Sequence, residues 1–376
     1  MPFKIICVAG ARPNFMKIAP LIRELNQDPF FEIVLVHTGQ HYDDKMSGQF
    51  FRELEIPDPD YNLQVGSGTH AQQTAAIMQR FEPVVLDGKP DAVLVAGDVN
   101  STLACALVTK KLGVAVVHVE AGLRSFDRSM PEEINRIVTD SVSDLFLVTE
   151  ESGRRNLLAE GVPKHRIHLV GNLMIDTLRR NLERARQSAI ISQLGLVGAF
   201  GLVTLHRPAN VDDPGQFAAM FSALMEIAGE MPLCFPVHPR TRQALERCGL
   251  EIPATIRLLE PLGYLDFLCL MSHSAIVLTD SGGIQEETTA LGIPCITLRE
   301  NTERPATVEQ GTNILAGTSR EGILSAWKKV KNRKGERAIP PYWDGSAALR
   351  CHDVLRLFAA ELSPTVQAKE DNQNRG

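Results

Sequence analysis

The sequence has 376 residues, of which 44% are hydrophobic and 22% charged, and its formal net charge is −6. This composition is typical of a globular protein, and a chain of this length usually divides into two domains. The negative net charge excludes a broad basic surface for nucleic acid or for an anionic membrane. A polyanionic ligand must therefore be bound by a few placed cationic groups.

The seven cysteines are scattered along the sequence, and none of them forms a CxxC pair. This pattern favours free thiols in a reducing cytoplasm over a metal site or a disulfide framework. The apolar run at residues 4–9 is short and is followed by Arg12 and Pro13, which indicates a first strand and not a signal peptide or a membrane span. We therefore expect a cytoplasmic protein with neither a membrane nor a nucleic-acid partner.

Short β-rich runs alternate with longer helical patterns in the first half of the sequence. The predicted strands are 4–9, 33–37, 92–96, 115–119 and 145–149. The predicted helices are 16–26, 72–86, 101–112 and 132–142. Apolar strands that alternate with helices predict a parallel sheet covered on both faces.

The second half of the sequence repeats this alternation. Its predicted strands are 201–204, 233–236, 256–258, 275–279 and 295–298. Its clearest helices are 215–229 and 285–291, and a polar helical stretch at 176–193 lies between the halves. We therefore predict an α/β fold of two doubly wound, Rossmann-like domains that face each other across a cleft. The expected domains are 1–172 and 173–344, with a disordered polar tail at 363–376.

Cationic residues follow the first predicted strand. Ligands of open α/β sheets bind beyond the carboxyl ends of the strands. Arg12 and Lys17 lie at a predicted helix start next to Gly10, which permits a tight turn, and a helix start is a suitable site for an anion. A surface turn with two solvated cations explains the pattern equally well.

Titratable residues follow other strands. Glu120 closes a strongly apolar strand, where an acid is unfavourable without a partner or a task, so a functional role is favoured. Asp98 has two equal interpretations, a functional acid or a helix cap. Glu132 and Arg136 share successive turns of a helix start, where the helix dipole alone favours an acid. His206 is either a phosphate donor and proton shuttle or a structural histidine.

The segment TDSGGIQEE joins a strand, a glycine turn and a helix. In this arrangement the backbone N–H groups of Ser281, Gly282 and Gly283 face outward and can hold a diphosphate. Glu287, one turn further on, is placed to reach ribose hydroxyls, and Arg304 follows the next strand at the same edge. The alternative is a plain glycine-containing turn between a strand and a helix.

Together these motifs resemble those of one family. The sequence is similar to the non-hydrolysing UDP-N-acetylglucosamine 2-epimerases, relatives of the two-domain glycosyltransferases of the B type. The resemblance rests on GARPNFMKIAPL, VLVAGDVNSTLA, HVEAGLRS, MPEEINR, TLHRPAN, PVHP, TDSGGIQEE and TERPAT, which run in this order from Gly10 to Thr307. It implies a homodimer and a C-terminal helix, at about 345–362, that packs back on the N-terminal domain.

The resemblance also implies a role for each site residue. Its catalytic residues correspond to Asp98, Glu120, Glu132 and His206. Its substrate-binding residues correspond to Arg12, Lys17, Arg136, Ser281, Gly282, Gly283, Glu287 and Arg304. Which carboxylate is the acid and which the base is not settled by the resemblance.

The implied reaction is the reversible C2 epimerisation of UDP-N-acetylglucosamine to UDP-N-acetylmannosamine, which feeds cell-surface polysaccharide precursors. The C2 hydrogen has no neighbouring carbonyl group to delocalise charge, so simple deprotonation is too slow. In a workable route UDP leaves from C1 as a base removes the C2 hydrogen, and readdition protonates the resulting 2-acetamidoglucal on the other face. This route needs a diphosphate site and acid–base groups, but no metal, nicotinamide or other cofactor.

Several alternatives stay open. They are an epimerase of a modified UDP sugar such as a 2,3-diacetamido uronic acid, a hydrolysing epimerase, a B-type glycosyltransferase and a non-catalytic nucleotide-sugar sensor. A loose GxGxxA pattern at 66–71 lacks the acid expected of a dinucleotide site. Two departures from the family pattern, QHYD at 40–43 in place of QHRE and HRPA at 206–209 in place of HRRE, leave the presence of an allosteric UDP-sugar site open.

Overall fold

The chain folds into two compact units. The computed structural model describes residues 2–39, 53–332 and 338–362. The first unit contains the residues up to Thr177 and those after Pro340, and the second is Leu178–Pro340. The QHYD motif at 40–43 and the tail at 363–376 lie outside the described residues. Within the described ranges, no helix is long and apolar enough to cross a membrane.

The first unit is built on a seven-stranded parallel sheet. Its strands are β1 (Phe3–Ala9), β2 (Phe31–His37), β3 (Tyr61–Asn62), β4 (Ala92–Ala96), β5 (Ala115–Val119), β6 (Leu145–Val148) and β7 (Ile167–Leu169). They lie in the order β3-β2-β1-β4-β5-β6-β7, and each is parallel to its neighbours. The helices are α1 (Arg12–Leu25), α2 (His70–Gly88), α3 (Asn100–Lys111), α4 (Pro131–Val142) and α5 (Glu151–Ala159), and α6 (Leu173–Arg186) runs on into the second unit.

The second unit repeats this plan with six parallel strands. They are β8 (Gly201–Thr204), β9 (Leu233–Pro236), β10 (Ile256–Leu259), β11 (Ile276–Thr279), β12 (Cys295–Thr297) and β13 (Asn313–Leu315). Their order is β10-β9-β8-β11-β12-β13. The helices are α7 (Ile190–Gln193), α8 (Pro208–Val211), α9 (Pro214–Glu230), α10 (Pro239–Cys248), α11 (Tyr264–His273), α12 (Gly282–Leu291), α13 (Pro305–Glu309) and α14 (Arg320–Asn332).

The α/β class and the two doubly wound, parallel sheets predicted from the sequence are confirmed. The central strands β4 and β11 are buried along their whole length, as expected when helices cover both faces of a sheet. The short edge strands β7 and β13 escape prediction because three residues carry too little periodicity. The single polar helix predicted at 176–193 is instead two helices, α6 and α7, separated by a short break.

The last described helix, α15 (Ala347–Leu362), belongs to the first unit and packs against α1. Its first backbone amides, those of Ala347 and Ala348, donate to the carboxylate of Asp176 at 3.1 and 2.7 Å. The indole of Trp343, just before the helix, is buried and donates to the carbonyl oxygen of Thr149. Helix α15 thus packs on the same unit in which the chain begins.

The strand orders place a switch point in each sheet. In the first unit, β1 and β4 are neighbours whose following helices leave the sheet in opposite directions, and β8 and β11 are the equivalent pair in the second unit. In sheets of this kind the crevice beyond the carboxyl ends of such a pair is where ligands bind. The segments that follow these four strands contain or border most of the residues singled out from the sequence.

The seven cysteines are free thiols, and all except Cys248 are buried. Burial raises the pKa of Cys7 and of Cys295 to about 12. These side chains therefore act as small apolar groups of the core.

Candidate functional site

The switch point of the first unit is tightly packed. The side chain of Asn14, on the first turn of α1, donates to the carbonyl oxygen of Ala96 at 2.7 Å and so joins the segments that follow β1 and β4. A Cβ atom on Gly10 would lie 2.2 Å from the hydroxyl oxygen of Ser101. A side chain at position 10 would therefore collide with the start of α3.

A buried ion pair lies at this switch point. The ammonium group of Lys17, on α1, is 2.8 Å from the carboxylate of Glu120, and their side chains are 7% and 3% exposed. The same ammonium group is 3.0 Å from the position that a Cβ atom on Gly97 would take, so the pair lies beside Asp98. A buried pair of this kind is stable only with close contact, because both charges lose their hydration.

The backbone of Glu120 is in the left-handed region, with φ at +70°. A residue with a side chain rarely adopts this conformation, and such outliers cluster at functional sites, where the surrounding structure enforces them. Here the enforcement comes from β6, since the amide groups of Glu120 and Ala121 both donate to the carbonyl oxygen of Leu147. The turn directs the Glu120 carboxylate toward α1.

Asp98 forms a second ion pair at the same edge. Its carboxylate accepts a hydrogen bond from the Arg136 guanidinium group at 3.0 Å, and the Arg136 side chain is 2% exposed. Asp98 is not the cap of the following helix, because Val99 occupies the N-cap position and no side chain caps the helix there. Arg136 is held in turn by Glu133, which also accepts from the backbone amide of Ser125. Glu133 was not singled out from the sequence.

Two candidates of the first unit remain, Glu132 and Arg12. Glu132 lies on the first turn of α4 and is half-buried, and within the described ranges its side chain forms no hydrogen bond or ion pair. Arg12 is the first residue of α1, but its side chain is outside the described part of the chain.

A buried histidine beneath these acids also escaped the sequence analysis. The His118 ring, 0% exposed, contacts the carboxylate of Asp140 at 2.6 Å and the carbonyl oxygen of Gly97 at 2.9 Å. Arg124 lies 2.7 Å from the other oxygen of Asp140. In the sequence, His118 looks like one polar residue within an apolar strand, and nothing local reveals its partners.

In the second unit, Asp280 organises the switch point. Its carboxylate, directly after β11, accepts from the backbone amides of His206 and Arg207 and from the side chain of Asn210. The Nδ1 atom of His206 lies 2.9 Å from the same carboxylate, and the His206 side chain is 47% exposed. Burial would raise the pKa of Asp280, but His206 and the two amides hold it below its usual value. The Asp280 carboxylate therefore accepts a hydrogen bond from Nδ1–H of His206, and Nε2 is left for chemistry.

Asp280 was not named as a site residue from the sequence. It follows an apolar strand as Glu120 does, and this position is the signal that would have identified it. The acid closes the strand, and its buried carboxylate fixes the histidine of the neighbouring segment.

The helix that follows Asp280 begins at Gly282, with Ser281 as its N-cap. No side chain caps this end, so the first-turn amides keep their capacity to bind an anion. A Cβ atom on Gly282 would lie 2.8 Å from a carboxylate oxygen of Glu303. Glycine is needed here because a side chain would displace that carboxylate. Gly283 is the second residue of the same first turn.

Arginine–carboxylate pairs surround this helix start. Arg299 lies 2.7 Å from Glu303, and Arg304 lies 2.7 Å from Glu286. Burial would raise the pKa of Glu303, but Arg304, Arg299 and Arg207 hold it far below its ordinary value. The candidate Glu287 is buried and accepts from the Tyr264 hydroxyl group at 3.1 Å. Glu287 and Arg304 are thus both part of the buried polar structure of this unit.

The switch points of the two sheets carry different chemical groups. The first unit brings two ion pairs, each with one carboxylate singled out from the sequence, to one switch point, which suits acid–base chemistry. The second presents a half-exposed histidine and an uncapped helix start, which suits the binding of a diphosphate. The structure gathers Lys17, Asp98, Glu120 and Arg136 at the first edge and His206, Ser281, Gly282 and Gly283 at the second.

Comparison with known proteins identifies the family. Residues 23–356 match the family model described as UDP-N-acetylglucosamine 2-epimerase. A UDP-N-acetylglucosamine 2-epimerase of Methanococcus maripaludis is 42% identical over 357 residues, which cover 92% of this chain and 96% of the relative. A UDP-2,3-diacetamido-2,3-dideoxy-D-glucuronate 2-epimerase of Pseudomonas aeruginosa is 41% identical over 357 residues, which cover 94% of this chain and 99% of the relative.

A solved structure agrees with these sequence relatives. The crystal structure of the Methanocaldococcus jannaschii UDP-GlcNAc 2-epimerase in complex with UDP-GlcNAc and UDP matches with a TM-score of 0.88 and 41% identity. The match covers 94% of this chain and 99% of that one. The resemblance inferred from the motifs is thereby confirmed, and the chain belongs to the UDP-N-acetylglucosamine 2-epimerase family.

Proposed function

We propose that this protein interconverts UDP-N-acetylglucosamine and UDP-N-acetylmannosamine by elimination of UDP and readdition. The observation that carries the proposal is the buried Lys17–Glu120 pair, in which Glu120 is held in the left-handed region at the carboxyl end of a strand. Strained backbone and buried acids cluster at functional sites, and this arrangement therefore supports a functional role for Glu120. Membership of the family supplies the reaction to which this acid belongs.

The first unit would supply the acid–base groups. In the forward direction a carboxylate removes the C2 hydrogen while the C1–O bond breaks, and the electron pair of the C–H bond forms the C1–C2 double bond of the glucal. In the return step the UDP oxygen attacks C1, and a carboxylic acid protonates C2 from the opposite face. Asp98, Glu120 and Glu132 are the proposed groups, with Lys17 and Arg136 stabilising the charged forms of their partners.

The second unit would bind the leaving group. UDP departs with an additional negative charge, and a helix start stabilises such a charge through its unpaired amides. The amides of Gly282 and Gly283 would receive the diphosphate, whereas the Ser281 amide already donates to Thr279 Oγ1 at 3.0 Å. His206 would donate from Nε2 when protonated. Because Asp280 fixes the ring through Nδ1, His206 needs little reorganisation to do so.

The test is a reaction in D2O. Purified protein is incubated with UDP-N-acetylglucosamine, without added metal or nicotinamide, and the products are followed by NMR. We expect UDP-N-acetylmannosamine with deuterium at C2, because the proton returned to C2 comes from a solvent-exchanged acid. An epimer without deuterium would contradict the elimination route, and release of free N-acetylmannosamine would identify a hydrolysing enzyme. Sugar transfer to an added acceptor without epimer would identify a glycosyltransferase.

A second substrate deserves the same assay. The relative from Pseudomonas aeruginosa that is named for a UDP-2,3-diacetamido uronic acid is 41% identical, nearly as similar as the relative from Methanococcus maripaludis. The shared chemistry at C2 would be unchanged in that substrate. Turnover of the diacetamido uronate with no turnover of UDP-N-acetylglucosamine would reassign the substrate and leave the proposed reaction class intact.

The homodimer and the cytoplasmic location also belong to the proposal. The family resemblance supports the first, and the free, buried cysteines support the second. Light scattering on the purified protein is expected to give twice the mass of the 41.3 kDa chain.

A further inference from the structure

His118 occupies an unusual place among the buried residues of the first unit. It lies in β5 two residues before Glu120, and its side chain is completely buried. Its Nε2 atom is 2.9 Å from the carbonyl oxygen of Gly97, the residue that precedes Asp98. Its Nδ1 atom is 2.6 Å from a carboxylate oxygen of Asp140, on α4. The ring therefore faces an oxygen acceptor at each of its two nitrogen atoms.

Asp140 continues this network into the segment that follows Glu120. Its second carboxylate oxygen accepts from the backbone amide of Gly122 at 3.1 Å and lies 2.7 Å from the Arg124 guanidinium group. Burial would raise the pKa of Asp140, but His118 and Arg124 together hold it below its ordinary value, so it is present as a carboxylate. Arg124 is anchored on its other side by Glu160, with contacts of 2.8 and 2.6 Å.

Gly122 shows how closely this segment is fitted. Its φ is +79°, and a Cβ atom there would lie 2.3 Å from the carbonyl oxygen of Gly153. The segment after Glu120 is therefore pressed against α5 on one side and hydrogen-bonded to Asp140 on the other. These contacts, together with the hydrogen bonds from the Glu120 and Ala121 amides to Leu147 of β6, set the position of the segment.

We propose that His118 and Asp140 are positioning residues that fix the segment of Asp98 relative to the segment of Glu120. One ring connects the two: Nε2 binds the backbone just before Asp98, and Nδ1 binds the carboxylate that holds the backbone just after Glu120. Catalytic acids must be placed within a fraction of an ångström to act on one carbon atom. This inference rests on the proposed epimerase activity, in which these two acids act on the same substrate.

The central experiment compares His118→Gln and Asp140→Asn with the unchanged protein. Epimerisation is measured with UDP-N-acetylglucosamine carrying either hydrogen or deuterium at C2, and hydrogen exchange of the β5 amides gives the folded fraction of the first unit. We expect kcat per folded protein to fall about tenfold to a hundredfold, the usual loss when an outer partner of a catalytic group is removed. We expect KM to change little, and the deuterium isotope effect on kcat to increase because C–H cleavage is selectively slowed.

The isotope effect separates positioning from folding. A variant that only unfolds more often contains fewer active molecules, but each active molecule shows the isotope effect of the unchanged protein. A fall in kcat with an unchanged isotope effect therefore overturns the proposal, and so does a kcat within about threefold of the unchanged protein, a difference well under the loss expected for an outer partner. Absence of epimer with the unchanged protein would instead refute the proposed function.

Two further variants complete the test. Glu160→Gln removes the outer anchor of Arg124, and since the Glu160 side chain is 42% exposed, the fold tolerates this change. It is expected to give a smaller loss of kcat with an isotope effect shifted in the same direction, and no shift counts against the proposal. Thr109→Val is the control, because this buried hydroxyl group donates only within α3, to the carbonyl oxygen of Cys105. Its kcat and isotope effect should equal those of the unchanged protein.

Discussion

Glu120 and Glu32 are chemically the same side chain in two different surroundings. Each pairs with a lysine at nearly the same distance, 2.8 Å to Lys17 and 2.9 Å to Lys4. The first pair is buried and its glutamate has a left-handed backbone, whereas the Glu32 side chain is 48% exposed. An exposed pair contributes little to stability because water and salt screen it. Comparing variants of the two glutamates therefore separates the effect of losing a buried acid at the ligand-binding edge from that of losing an exposed ion pair.

Replacing Glu120 by glutamine is expected to lower kcat for epimerisation by about a hundredfold to ten-thousandfold, the typical contribution of a placed acid–base group. The amide keeps the shape of the side chain but neither removes nor supplies a proton as the carboxylate does. Glu32→Gln serves as the matched control and should leave kcat unchanged. Equal activity in the two variants would show that Glu120 has only a structural role.

At the level of single residues, the sequence shows that an acid is a candidate site residue more readily than it shows which residue pairs with it. Glu120 is conspicuous because a charged residue ends an apolar strand, which is a local signal. Its partner Lys17 lies a hundred residues earlier on a helix, and only the meeting of β1, β4 and β5 brings them together. His118 and Asp140 escape prediction for the same reason, since their function depends on backbone atoms of other segments.

At the level of elements, α15 is attached to the first unit by charged contacts as well as by apolar packing. His352 and Arg356, on successive turns, lie 2.9 and 3.2 Å from the carboxylate of Asp28, which follows α1. The Arg356 guanidinium group also lies over the ring of Phe30, 4.4 Å from its centre. The attachment thus includes one group, His352, that titrates near neutral pH.

The attachment of α15 is expected to weaken as the pH rises above neutrality. Burial lowers the pKa of His352, but the hydrogen bonds and charges of Asp28 and Asp353 together outweigh burial and raise this pKa above 6.5. A raised histidine pKa stabilises the fold below about 6.5, and this contribution is lost as the pH rises through the higher, folded-state pKa. Urea unfolding of the unchanged protein and of His352→Gln should therefore differ most at pH 6 and converge by pH 9. A difference that grows with pH would contradict this.

Acidification acts on the other partner. The pKa of Asp28 is lowered by the backbone amide of Phe30 and by His352, so its contribution is present above about 3.8 and disappears as the pH falls through the lower, folded-state value. The contact between His352 and Asp28 is accordingly strongest at pH values between the folded-state pKa of Asp28 and that of His352. Helix α15 itself was expected only from the family resemblance, because nothing in its own sequence indicates which part of the chain it contacts.

At the level of the whole molecule, the same plan occurs twice. In both sheets the first strand of the unit is third in the strand order, and the chain turns to the other side of that strand at the fourth strand. The alternation of apolar strands and helices predicts this class well, since each parallel strand must be covered on both faces. The strand order does not follow from the alternation alone, which fixes neither the edges nor the neighbours.

UDP alone is expected to bind to the second unit. In hydrogen exchange, saturating UDP should protect the amides of Gly282 and Gly283 most strongly. At a hundred times its Kd, UDP should stabilise the fold by about 2.7 kcal/mol. Asp280→Asn should weaken this binding, because His206 loses its anchor, whereas Asp266→Asn, which affects only a contact to Ser188, should not. Strongest protection around Lys17 and Gly97 would contradict this expectation.

The return of the chain to its first unit has a consequence for synthesis on the ribosome. The residues up to Thr177 emerge early, yet Trp343, Ala347 and His352, which cover and anchor them, are made only after the whole of Leu178–Pro340. At about 5–20 residues per second, the nascent first unit waits roughly ten to thirty seconds with the surface of α1 uncovered. During this interval the exposed apolar surface of the nascent first unit is open to aggregation, a hazard that α15 removes once it is made.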